Sequence, residues 1–193
     1  MSAADPDLEK LARSASAGDR AALEELLREL RPLAVRAARL IVGAGSWAAE
    51  DAAQEAMIDI SVSIEKLRDP RAVRAWALRI ATRRAFKTAR WERVRRVMRR
   101  EADIPERELE EVDARQAALM GAIRALPPRQ RAVLVLRLYS GLSEAETAEV
   151  LGCSVGTVKS QLHDARRRLA AELQEDGLPA RLADRTGKEA TLG

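Results

Sequence analysis

Apolar side chains recur at three-to-five spacing along most of the chain, so the expected architecture is helix after helix. Leu23, Leu26, Leu27, Leu30, Val35 and Leu40 form one such stripe. Asp19 can cap its start, and Gly43 and Gly45 can stop it, which predicts a helix to about Val42. Pro32 lies inside this stripe and predicts a kink or a break, because proline lacks the N–H that a helix interior needs. Leu8 to Ala17 predicts a short opening helix. Ser46 can cap a third helix, reaching about Leu67. Asp69-Pro70 supplies a cap and a first-turn proline for a fourth, which runs through Val73, Trp76 and Ile80 to about Arg96. Ala77, Ala81 and Ala85 along it allow close packing.

From Val97 to about Glu110 no helical stripe is clear, and Pro105 stands among acidic residues. A linker is expected there. Beyond it the punctuation sharpens. A helix is predicted from Glu111 to Ala125, broken at Leu126-Pro127-Pro128, and another from there to Tyr139, ended by Gly141. Ser143 and Glu146 make a capping box, in which each side chain satisfies an orphan amide of the first turn. That short helix ends at Leu151-Gly152. Ser154 caps a last long helix to about Leu173. Gly177 to Gly193, with glycine, proline and mixed charge, is expected to be disordered. The fold class is therefore all-α. Its two small helical domains cover 1–97 and 111–175, joined by an acidic linker over 98–110, with a tail over 176–193.

Composition supports this. Ala, Leu, Arg and Glu dominate and favour helix, while three Trp, one Tyr and one Phe leave the cores to aliphatic side chains. The single cysteine, Cys153, excludes an internal disulfide framework and a multi-cysteine metal site, and reads as a small apolar filler. No apolar run approaches the roughly 20 residues that span a bilayer. Met1 to Asp7 lacks a basic start followed by an apolar stretch, so no signal peptide is expected and the cytoplasm is the expected compartment.

The charge distribution says more than the net charge of +4. Arg71 to Arg100 carries twelve Arg or Lys against one acid, Glu92, whereas Glu101 to Ala114 carries seven acids against Arg107. Such segregation predicts a basic surface for a polyanion beside an acidic connector. Arginine suits bidentate phosphate contacts, although a GC-rich genome would give the same excess over lysine.

Ser143 to Leu151, the turn Gly152-Cys153-Ser154 and a second helix from Val155 have the form of a helix-turn-helix. Val155, Val158, Leu162 and Leu169 are expected to pack inward. Thr157, Lys159, Ser160, Gln161, His163, Asp164, Arg166 and Arg167 are left outside. Early polar groups followed by later cations suit a major-groove reader, with phosphate contacts setting register and base contacts giving specificity. The bland alternative is a solvated amphipathic helix. His163 has neither a histidine partner nor a nearby thiolate pair. No metal and no cofactor are expected, and His163 reads as a DNA backbone contact or plain surface.

Four runs carry a family resemblance. Leu126-Pro-Pro-Arg-Gln-Arg-Ala-Val-Leu-Val-Leu-Arg and Gly141-Leu-Ser-Glu-Ala-Glu-Thr-Ala-Glu-Val-Leu-Gly-Cys-Ser-Val-Gly-Thr-Val-Lys-Ser resemble the C-terminal promoter-reading domain of sigma-70 family factors, above all the extracytoplasmic-function (ECF) subgroup. Ala49-Glu-Asp-Ala-Ala-Gln-Glu resembles the segment those proteins dock on the polymerase clamp. Arg74-Ala-Trp-Ala-Leu-Arg-Ile-Ala resembles the segment that opens the upstream edge of the transcription bubble. The likeness covers about Gly18 to Leu173. The larger family's middle domain would not fit between Arg100 and Glu111.

The resemblance implies a sigma factor that directs core RNA polymerase to promoters, with double-stranded and melted DNA as partners. An anti-sigma protein that covers the docking faces is a further implied partner; membrane insertion and enzymatic activity are not. Glu50, Asp51, Gln54 and Glu55 would dock on the polymerase; without the resemblance they read as a solvated face. Arg71, Arg74, Trp76, Arg79, Arg83, Arg84, Lys87 and Arg90 would serve the −10 element, with a base pocket at Leu67 to Arg71. Trp76 also reads as core, packed on Ile58 or Ile80, which leaves Trp91 as the exposed ring. Where relatives often carry Asn and Asp, this helix has Arg83 and Lys87; where they carry aromatics, it has Val73 and Leu78. Phosphate grip is thus favoured over base readout. Ser154, Thr157, Lys159, Ser160, Gln161, His163, Arg166 and Arg167 would serve the −35 element, and the acidic linker would thread the polymerase near the RNA path. The rival reading is a stand-alone helix-turn-helix regulator. An enzyme lacks its motifs here: there is no Gly-rich phosphate loop and no nucleophile beside a histidine.

Overall fold

The computed structural model describes residues 6–42, 47–99 and 114–175. Among these the chain is helical, with no strand. Four helices build the N-terminal half: α1 (Pro6–Ser16), α2 (Arg20–Val42), α3 (Trp47–Ser63) and α4 (Val73–Arg99). Four more build the C-terminal half: α5 (Ala114–Ala125), α6 (Pro128–Leu134), α7 (Glu144–Leu151) and α8 (Val155–Glu175). The predicted stops and caps at 43–46, the linker at 98–110 (save for residues 98 and 99, which end α4) and the tail from 176 lie outside the described residues.

Local chemistry sets the visible boundaries. The Asp19 carboxylate accepts the amides of Ala21 and Ala22 at 2.9 and 3.1 Å, starting α2. Pro32 does not break α2, which is continuous through it. The proline sits on the exposed side of the helix, where the carbonyl freed by the missing N–H can turn to water. The third helix stops earlier than its stripe suggests: α3 ends at Ser63 and a 3₁₀ turn over Ile64–Lys66 carries the chain to Leu67. Asp69 accepts the Arg71 amide at 3.1 Å and starts a second 3₁₀ turn, so α4 proper begins three residues after Pro70. Past α6, Val135–Tyr139 forms a π turn, closed by the Ser140 amide on the Val135 carbonyl at 2.9 Å.

Alanine governs the N-terminal packing. Ala49, Ala52, Ala53 and Ala56 on α3 are all buried, packed with buried Ala34 and Ala38 on α2 and Ala81 and Ala85 on α4. Methyl-sized side chains let the three backbones approach closely. Leu26, Leu30, Ile60, Ile64 and Val73 fill the space under α1. In the C-terminal half Ile123, Leu126, Leu134, Leu169 and Leu173 form one core, with Val133, Ala148, Val158 and Leu162 in a second beneath the turn. Each fully buried leucine or isoleucine contributes about 1.5–3 kcal/mol. The halves also touch: Leu136, Leu142 and Val150 pack on Ala37 and Leu78, and Ala132 joins the alanine seam.

Candidate polymerase-docking and nucleic-acid interfaces

The four docking candidates on α3 do not form one free face. Glu50 is paired with Arg39, whose Nε lies 2.8 Å from its carboxylate. Glu55 accepts from Arg84 Nη1 at 2.8 Å. Asp51 and Gln54 are left exposed. They continue as a strip at steps of three and four residues with Trp47, Ile58 and Val62, which are 67%, 57% and 76% exposed. Sequence reading missed these three apolar positions. Their spacing was visible, but only the burial of the alternating alanines shows which side of α3 faces out. Ile58 therefore cannot serve as packing for Trp76, which is half-buried on the α1–α4 core together with Ile80. Arg95 lies over the Trp47 ring, 5.8 Å from its centroid.

The eight −10 candidates divide by what already holds them. Arg84 is clamped to Asp59 by two contacts of 2.5 Å, besides its bond to Glu55. The hydrogen bond from Arg84 holds the Asp59 carboxyl below its ordinary value. Arg71 folds back on Asp69 through Nε at 3.0 Å and Nη2 at 3.2 Å, which lowers the Asp69 carboxyl in the same way. Arg74 Nη2 donates to the Ser140 carbonyl at 3.4 Å, and Arg79 is paired with Glu149. Arg83, Lys87 and Arg90 are exposed and make no ion pair with another described residue. Trp91, 62% exposed, stands beside them.

The helix-turn-helix is built as its punctuation predicts. The Ser143 amide donates to Glu146 at 2.7 Å, and the Glu146 amide to Ser143 Oγ at 3.1 Å. Gly152 takes a left-handed φ of 63° that lets the chain reverse without a side-chain clash. Ser154 Oγ accepts the Thr157 amide at 3.0 Å and meets Thr157 Oγ1 at 2.9 Å, so both hydroxyls are partly engaged in capping. Lys159 (3.6 Å from Glu144), Ser160, His163 and Arg167 (3.3 Å from Asp164) are exposed. Gln161 and Arg166 are half-buried. Val155 corrects the inward assignment: it is 39% exposed, because the first residue of α8 projects past the core that Val158 and Leu162 close. Thr157 and Gln161 line a cleft of about 450 Å³ shared with Phe86 and Arg90 of α4 and Arg129 of α6.

Among the described residues no group of three or more His, Cys, Asp or Glu could hold a metal ion, and no helix is long and apolar enough to cross a membrane.

Known proteins match in both halves. Residues 26–93 match the family described as Sigma-70 region 2, and residues 116–169 match Sigma-70, region 4. An RNA polymerase sigma-E factor of Streptomyces avermitilis is 32% identical over 174 residues, covering 86% of this chain and 93% of that protein. The ECF RNA polymerase sigma factor SigD of Mycobacterium tuberculosis is 32% identical over 182 residues, covering 88% and 85%. Among solved structures, CnrH in complex with the cytosolic domain of CnrY superposes with a TM-score of 0.67 at 26% identity, covering 88% of this chain and 99% of that one. The fold is shared as well by RpoE of Bartonella quintana, solved with the anti-sigma factor NepR, with a TM-score of 0.63 at 24% identity.

Proposed function

The chain belongs to the extracytoplasmic-function sigma factors of RNA polymerase, and on that premise we propose how its residues divide the work. It directs core polymerase to promoters and initiates transcription. In our reading the N-terminal module, residues 1–97, docks on core enzyme through the outer strip of α3. Asp51 and Gln54 steer and orient the encounter, and Trp47, Ile58 and Val62 supply the area that leaves water. Exposed aromatics and aliphatics in one row are what a partner surface needs and a solvated helix does not.

Promoter DNA then lies along α4. Arg83, Lys87 and Arg90, free of ion pairs with other described residues, hold phosphates near the −10 element. Arg84 is assigned to positioning, since it ties α4 to α3 through Asp59. Separating strands costs about 1.4 kcal/mol per base step, and Trp91 offers a flat ring on which an unpaired base can stack. The C-terminal module, residues 111–175, sets α8 in the major groove of the −35 element. There Lys159, Ser160, Gln161 and His163 face bases or backbone, and Arg166 and Arg167 face phosphates. The acidic linker, residues 98–110, is assigned to the polymerase cavity, and the tail from 176 has no assigned role. In this reading the protein works in the cytoplasm, by binding and not by catalysis. Inhibition by an anti-sigma protein covering the α3 strip fits the same surfaces.

The observation that carries this reading is the presence in one chain of a fully capped helix-turn-helix and an exposed apolar strip beside a basic helix. Purified chain added to core polymerase should produce defined start sites on genomic DNA. Transcripts no different from core enzyme alone would refute it. The capped helix-turn-helix alone also fits a stand-alone regulator. That reading requires sequence-specific binding without core polymerase, which a mobility-shift assay with and without core would reveal.

A further inference from the structure

The segment that joins α3 to α4 is carried by α1. Leu8, Leu11, Ala12 and Ala15 of α1 pack in one cluster with Ile64, Leu67 and Val73, and Ala12 and Ala15 are buried outright. Both 3₁₀ turns of the segment, Ile64–Lys66 and Pro70–Ala72, lie against this helix. Methyl groups at 12 and 15 leave the turns room to sit close to the α1 backbone.

Charge joins the same contact. Arg13 Nη2 donates to Glu9 at 2.7 Å, one helical turn apart, and Glu9 is only 24% exposed. Across from them Asp69 accepts the Arg71 amide at 3.1 Å and its Nε at 3.0 Å. The two pairs are also crossed. The Asp69 carboxyl is held below its ordinary value by the Arg71 hydrogen bonds first and, more weakly, by the charge of Arg13. Arg71 is held above its ordinary value by its hydrogen bond to Asp69 first and, more weakly, by the charge of Glu9. Four charges thus alternate in sign around one ring, two on α1 and two on the loop.

Asp69 is the residue through which this ring can act on backbone shape. Its side chain accepts the Arg71 amide, and its carbonyl accepts the Ala72 amide at 3.0 Å, so it starts the turn from which α4 departs. An extruded base is read by the shape of the pocket that receives it. A loop held in one shape discriminates, and a loop free to relax admits more than one base.

We propose that α1 is a positioning element for the −10 base pocket at Leu67 to Arg71, in which Glu9 and Arg13 fix the loop through Asp69 and Arg71 and so set which base it accepts. Glu9 and Arg13 touch no DNA in this scheme. The consequence for base choice rests on the −10 reading given above; the anchoring of the loop does not.

The test exchanges the two α1 charges in the full chain, Glu9→Arg together with Arg13→Glu. The exchange keeps the ion pair within α1 and its net charge, and reverses both couplings to the loop. Glu25→Arg together with Arg28→Glu makes the same exchange in an ion pair of α2 and serves as the control. Hydrogen exchange at the Arg71 and Ala72 amides should quicken by about two- to fivefold in the α1 exchange, the range expected of exposed charge pairs, with the amides of α4 beyond Ile80 unchanged. Holoenzyme carrying it, run on templates randomised over both promoter elements, should shift its base preference at a −10 position by a similar factor and keep the wild-type −35 preference. The α2 exchange should match wild type in both measurements. Unchanged exchange at Arg71 and Ala72 overturns the proposal, and so does faster loop exchange with an unchanged −10 preference. Equal shifts at −10 and −35, or equally faster exchange in the loop and in α4, mean a general loosening of the module and overturn it too. If the wild-type chain yields no defined start sites, the sigma reading fails, and the exchange measurement still decides whether α1 anchors the loop.

Discussion

The two helices proposed to read the promoter differ in charge and in what that charge already touches: α4 carries ten Arg or Lys against one acid, α8 four against three. On α4, Arg74, Arg79 and Arg84 are held by groups distant in sequence, at Ser140, Glu149 and Asp59. On α8, Arg167 and Lys159 have only loose partners, one within the helix and one on the helix before it. The count of cations along a helix therefore measures its sequence bias and not its free grip. α4 is half a structural strut, and among the described residues the cations left to its proposed DNA face are Arg83, Lys87 and Arg90. α8 is mounted on a core of its own and can spend its outer face on the groove.

The sharpest break in this comparison is Arg84→Ala. It removes charged hydrogen bonds to Asp59 and Glu55 and should destabilise the protein by about 2 kcal/mol, the low end for charged pairs because both carboxylates still reach water. Chemical denaturation measures it. Asp59, held below its ordinary value, contributes stability that is present above its unfolded value and lost as pH falls through the lower folded one. Wild-type stability should thus fall off below about pH 4, and Arg84→Ala should flatten that fall. A full loss of DNA binding with unchanged stability would return Arg84 to the reader set.

Gly152→Ala comes next. A side chain at φ 63° costs about 1–2 kcal/mol, and the loss should appear in thermal unfolding and in −35 binding together, since the turn aims α8. Ser143→Ala undoes one half of the capping box at a cost of about 1 kcal/mol, read as a drop in denaturation midpoint. Smallest in stability, near zero, is Lys87→Ala. It should lower the salt slope of DNA binding by about 0.9 per lost phosphate contact. An unchanged slope would remove Lys87 from the interface.

The C-terminal half was largely legible because its boundaries are written in local chemistry. Ser143 with Glu146, Gly152, Ser154 and Pro128 each act within a few residues of themselves, and the helices start and stop there. The N-terminal half was legible as helices but not as surfaces. Ala49, Ala52, Ala53 and Ala56 carry no strong hydrophobic signal, so the buried side of α3 could be found only from its neighbours. That hid the Trp47, Ile58 and Val62 strip. Of the kink or break that Pro32 predicts, the break does not occur, because an exposed helix flank tolerates the proline. Arg84 and Arg79 were read as phosphate ligands because their partners lie 25 and 70 residues away in sequence, a distance no local pattern reports.

The alanine seam also constrains how the chain can change over generations. Its inner positions on α3 admit almost nothing but a methyl group, because any bulkier replacement must push α2 or α4 aside. The outer positions carry no such limit of size. Drift and adaptation on this helix are thereby confined to the outer row proposed to meet other molecules, so a lineage could revise its associations while the scaffold beneath them stays frozen.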